Sequence, residues 1–96
     1  MEEITEIFIT PKQAKILDEF FTKRPFYRTL NANGLVFGWE DSEDSREWPL
    51  MTYKNRELKI SLINIRNLPK KARESVLKIM AETKILEILE DLDVKI

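Results

Sequence analysis

The chain has 96 residues, no cysteine and no histidine. Disulfides and thiolate metal sites are therefore excluded, as are Ser-His and Cys-His nucleophile pairs and imidazole metal ligation. Its net charge of −1, with 34% charged and 43% hydrophobic residues, is the balance of one globular domain spanning 1–96.

That charge is unevenly spread. Residues 40–47 hold five acidic and one basic residue, while residues 54–73 hold seven basic and one acidic. The start, Met1-Glu2-Glu3, is acidic where a secretory leader is basic, and no apolar run approaches a membrane span. A cytoplasmic protein with no membrane partner is the expectation.

In chain order, residues 3–9 (EITEIFI) are β-branched and aromatic and predict a strand. Thr10-Pro11-Lys12-Gln13 then predicts a helix start with a capping box, Pro11 in the first helical position. Ala14, Ile16, Leu17, Phe20 and Phe21 share one helical face, Glu19 and Lys23 form an i,i+4 pair, and Pro25 is expected to end the helix. Two strands, 26–30 and 35–40, follow around Asn33-Gly34, a pair that tolerates the positive φ of tight hairpins. Leu35, Phe37 and Trp39 alternate onto one strand face, which places Trp39 in the core.

After the polar loop 40–47, a second hairpin is expected from 48–53 and 57–65, turning at residues 54–56. Pro49 cannot donate to a ladder and points to an edge strand or a strand start. The apolar phase slips at residues 62–65, which a bulge or a doubly buried strand would explain. From Pro69, Ala72, Val76, Ile79 and Met80 form a helical stripe. A second stripe, Ile85, Ile88, Leu89 and Leu92, points the opposite way and predicts a break near Glu82-Thr83, with Thr83 capping a separate helix. Residues 93–96 are read as a last edge strand or a frayed end. The pattern is α+β, with a mainly antiparallel sheet of four or five strands, helices on one face, and a ferredoxin-like variant among its forms.

No Gly-rich phosphate loop, nucleophile elbow or metal-ligand spacing is present, so the chain reads as non-enzymatic, without cofactor or metal. Surfaces remain. The loop residues Glu40, Asp41, Glu43 and Asp44 with the flanking Trp48 form one candidate protein-contact surface. Ile85, Ile88, Leu89 and Leu92 form another, packing either on the chain's own sheet or on a second copy in a homodimer. A regulatory interaction module fits, of the kind an accessory or viral inhibitor uses. The alternative is nucleic-acid binding through Lys54, Arg56, Arg66, Lys70, Lys71 and Arg73. Lys70 and Lys71 would then sit in a first helical turn, where the helix dipole disfavours cations. Lys23 to Arg28 forms a smaller basic and aromatic segment that can stack and pair with phosphates.

Overall fold

The computed structural model describes residues 4–96, so Met1 to Glu3 and the start of the first expected strand lie outside the described residues. Strand β1 is Ile4–Phe8 and helix α1 is Pro11–Phe20. Strands β2 (Phe26–Asn31), β3 (Gly34–Glu40), β4 (Glu47–Lys54) and β5 (Glu57–Ser61) follow, then helices α2 (Leu62–Arg66), α3 (Lys70–Glu82) and α4 (Ile85–Asp91). The five strands make one antiparallel sheet in the order β1-β5-β4-β3-β2. β2 to β5 is thus a meander, and α1 carries the chain from one sheet edge to the other. The expected α+β class is what forms. With a single helix inserted between strands, the element order differs from the β-α-β-β-α-β of ferredoxin-like domains.

Register puts one row of side chains, Thr5, Ile60, Met51, Phe37 and Arg28, across the helix-bearing face. The middle three are buried, in one cluster with Leu17 and Phe21 behind α1, Val76 and Met80 of α3, and Ile85 and Leu89 of α4. Among the described residues, the helices therefore cover one face, and none is long and apolar enough to cross a membrane.

The local signals explain most elements. Thr10 Oγ1 accepts from the Gln13 N–H (3.2 Å), and the Gln13 side chain accepts from the Thr10 N–H (2.7 Å), which closes the capping box. Gln13 also donates to the Thr83 carbonyl (2.7 Å), tying the start of α1 to the α3–α4 junction.

Several expectations are corrected. α1 ends at Phe20, well before Pro25, because Phe20 and Phe21 turn into an aromatic cluster with Phe26 and Phe37. Lys23 consequently lies outside the helix. The phase slip after Ser61 is a change from strand to helix, since α2 begins at Leu62 and buries Leu62 and Ile65.

Pro49 sits in the central strand β4. It lies near the start of β4, ahead of Met51 where pairing with β5 begins, so no β5 partner needs the N–H it lacks, as expected for an edge or a strand start. Beside it is a bulge, where Phe37 faces Met51 but Gly38 faces Pro49, leaving Leu50 as the extra residue. The Asn64 amide donates to the Pro49 carbonyl at 2.7 Å.

In the β2–β3 turn the left-handed residue is Gly34 (φ 120), and Asn31 Oδ1 accepts from the Asn33 N–H at 2.8 Å. A Cβ at Gly34 would lie 2.5 Å from the Tyr53 carbonyl oxygen. The break near residue 83 is present, but Thr83 closes α3 rather than capping α4. Its buried hydroxyl donates back to the Ile79 carbonyl at 2.8 Å, and Lys84 takes the left-handed conformation (φ 68) before α4. Residues 93–96 are not a strand. Asp93 (φ 60) closes α4 with bonds from the Asp93 N–H to the Glu90 carbonyl and the Val94 N–H to the Leu89 carbonyl, a Schellman arrangement.

Candidate functional site

Among the described residues, no helix covers the opposite face of the sheet. A row of Glu6, Lys59, Thr52, Val36 and Thr29 crosses all five strands there, each residue exposed or half-buried. At its β1 margin stand two large apolar side chains, Ile4 at 51% and Phe8 at 72% exposure. Two shallow hollows flank Lys59. One, of about 340 Å³, is lined by Phe8, Asn33, Thr52, Lys54, Asn55 and Glu57. The other, of about 180 Å³, involves Ile4, Pro49, Leu50, Ser61 and Asn64. Lys59 Nζ lies 3.9 Å from the Glu6 carboxylate, a solvated pair worth at most about 1 kcal/mol.

β1 is also a sheet edge, and its hydrogen-bond phase can be read from one contact. The Ile9 N–H donates to the Arg56 carbonyl at 2.9 Å, which makes Ile9 and Arg56 a hydrogen-bonded pair. Alternation in an antiparallel ladder then assigns Ile7 and Thr5 to the bonds with β5. Ile4, Glu6 and Phe8 turn their N–H and C=O groups to the open edge and their side chains to the helix-free face.

A third hollow, of about 470 Å³, lies between residues 24–27 and the β3–β4 loop, with Arg24, Tyr27, Glu40, Ser42 and Ser45 on its walls. The Glu40 N–H donates to the Pro25 carbonyl at 2.8 Å, so the acidic loop and the Lys23 to Arg28 segment are neighbours. Tyr27 packs over Gly38, where a Cβ would come within 2.4 Å of its ring. Burial, then the charges of Glu47 and Glu40, push the Tyr27 phenol up to about 12.

The acidic loop is a compact hairpin connection. Asp41 Oδ1 accepts from the Glu43 N–H and Asp44 Oδ1 from the Arg46 N–H, both at 2.9 Å. Two of its carboxylates are thus turn acceptors, and among the described residues no three carboxylates converge as a metal site would need. Trp39 is half-buried against the core, opposite Trp48. Trp48 is itself half-buried, with the Arg46 guanidinium 5.8 Å from its ring centre.

The C-terminal stripe divides. Ile85 and Leu89 are buried in the chain's own core, Ile88 is half-buried against it, and Leu92 is left 54% exposed.

The basic residues of 54–73 do not form one stripe. Lys54 and Arg56 precede β5 and lie at one end of it, while Arg66, Lys70, Lys71 and Arg73 follow its other end. Arg66 donates to the Lys95 carbonyl, Arg73 to the Arg66 carbonyl and Lys54 to the Ala32 carbonyl, so three of the six are engaged with backbone. Lys70 and Lys71 are exposed in the first turn of α3, which has no side-chain cap.

The sequence reading missed Ile4 and Phe8 as surface residues. Both phases of EITEIFI are apolar, so alternation alone does not say which phase faces out. Compared with models of protein families, with curated proteins and with solved structures, the chain matches none.

Proposed function

We propose that this chain is a non-enzymatic protein-interaction module that binds its partner on the helix-free face of the sheet. The observation that carries the reading is the exposure of Ile4 and Phe8 together at the β1 margin, beside hollows that reach under Lys59 and Thr52. Large apolar side chains grouped on an open face lose free energy to water until a partner covers them, and aromatic residues in such places tend to dominate binding. The face is mixed in charge, with Glu6 and Glu57 beside Lys54 and Lys59, which suits a protein surface better than a polyphosphate. The separation of Lys54 and Arg56 from Lys70 and Lys71 leaves the nucleic-acid alternative with less support.

The test compares the full chain with an Ile4→Ser/Phe8→Ser variant, each immobilised and exposed to extract from the cells that make the protein. A protein held by the original chain is then purified and titrated against both. At least a tenfold loss of affinity is expected for the variant, about 1.4 kcal/mol. Equal binding to both chains would reject this face as the site.

A further inference from the structure

We infer that the β1 edge accepts an extended segment of a partner protein as a sixth strand, a segment with a basic residue flanked at two-residue spacing by apolar ones. The inference rests on the protein-interaction reading above and names the chemistry of the partner at that same surface.

The two sheet edges differ in a way that singles out β1. Edge strands are open templates for pairing, and proteins that must keep them free place a charge on the covered face or a proline along them. β2 has such a guard. Arg28 is the last member of the helix-side row Thr5, Ile60, Met51 and Phe37, and its guanidinium is paired with Asp18 of α1. A strand added beside β2 would have to cover that ion pair. Among the described residues β1 has no equivalent: from Ile4 to Phe8 its helix-side positions are Thr5 and Ile7, it contains no proline, and its ladder with β5 runs without a bulge.

The groups offered at the β1 edge also specify what fits. Ile4, Glu6 and Phe8 direct their backbone donors and acceptors outward, as derived from the Ile9 to Arg56 bond. Their side chains form an apolar, acidic, apolar series on the open face. Residues directly opposite across an added strand share that face, so favourable neighbours are apolar, basic, apolar. The basic residue would extend the Lys59 and Glu6 pair into an alternating row of three charges. The pattern is symmetric, so it serves a parallel or an antiparallel strand alike. A second copy is the poorer occupant, because twofold antiparallel pairing of β1 with itself about Glu6 opposes two like carboxylates.

The probe is a labelled synthetic peptide, Ser-Thr-Val-Thr-Arg-Thr-Val-Thr-Ser, titrated into the full chain and followed by fluorescence anisotropy. Saturable binding is expected, five- to tenfold weaker when Glu replaces the central Arg of the peptide. Glu6→Lys in the protein is expected to invert that preference. N-methylating the peptide amides that would meet the edge removes donors without changing side chains, and should abolish binding. In the bound state the amides of Ile4, Glu6 and Phe8 should gain protection from hydrogen exchange.

Absence of saturable binding, or binding indifferent to N-methylation, overturns strand addition. So does a protein dimer that excess peptide cannot dissociate, which would mean that a second copy holds the edge. If the peptide fails while the Ile4→Ser/Phe8→Ser variant still loses its captured partner, the interaction reading stands and the added strand does not.

Discussion

Among the described residues, left-handed backbone falls partly on types that tolerate it, Gly34, Asn55 and Asp93, and partly on types for which it is costly. Arg56 (φ 67) shares the β4–β5 turn with Asn55 (φ 52), and Lys84 (φ 68) joins α3 to α4. A side chain with a Cβ in that region costs about 1–2 kcal/mol, so these conformations persist because flanking elements are packed on both sides. Tyr27 is perturbed differently. Its phenol is held neutral by burial first and then by the nearby carboxylates of Glu47 and Glu40, which raises it to about 12. A raised value means the folded chain keeps this proton after the unfolded chain has lost it. Its contribution to stability is therefore complete below about pH 10, the ordinary tyrosine value, and disappears as pH climbs towards 12. Tyrosinate absorbance of the native protein should show a late-titrating phase that Tyr27→Phe removes. The same substitution should flatten the loss of stability between those two pH values, as followed by denaturant unfolding.

At the level of elements, the bulge between β3 and β4 organises the middle of the sheet. It lies beside Pro49, which stands ahead of the first β4–β5 pair, and it adds Leu50, 1% exposed, to the buried set beside Met51. Gly38 stands at the same point under the Tyr27 ring. A methyl group there has no room unless the ring moves, so Gly38→Ala is expected to destabilise the chain by about 1–3 kcal/mol. With Tyr27→Ala already present, most of that cost should vanish, and a double-mutant cycle in denaturant would read the coupling. Additive effects would show that the ring and the glycine do not constrain each other. α3 and α4 illustrate a different device, a separation made by a local closure of the helix end. Thr83 folds back onto Ile79 while Lys84 reverses the chain, so two stripes of opposite phase both reach one core.

The whole molecule is a two-layer sandwich with helices over one side of the sheet, and its function is proposed to depend on what that layer leaves bare. The meander and the α1 crossover place β1 and β2 at opposite margins, so each must manage its own unpaired backbone. If Arg28 guards the β2 margin, Arg28→Val should create a second open template beside Leu30, which is already 78% exposed. Light scattering is then expected to show concentration-dependent association in Arg28→Val and none added by Arg28→Lys, which keeps the inward charge. A mass for Arg28→Val that matches the original chain at every concentration would show that the guard has no effect.

Much of this architecture was written locally. The capping box of Thr10 and Gln13, the alternation of Leu35, Phe37 and Trp39, and the opposed stripes around residue 83 each depend on neighbours a few positions apart, and each is legible without a fold. The absence of thiol and imidazole likewise bounded the chemistry at once. What the sequence left open were the features that long-range packing decides. Whether Ile4 or Ile7 faces the helices depends on which edge β5 meets, and whether Pro49 is tolerated depends on β5 ending before it reaches that residue. Basic residues close in sequence, from Lys54 to Arg73, were separated because β5 runs between them. Linear spacing gives the period of a segment and, where that period runs unbroken, its element type. Only the assembled sheet, by choosing one face for burial and two strands for its margins, determines which residues are left for a partner to touch.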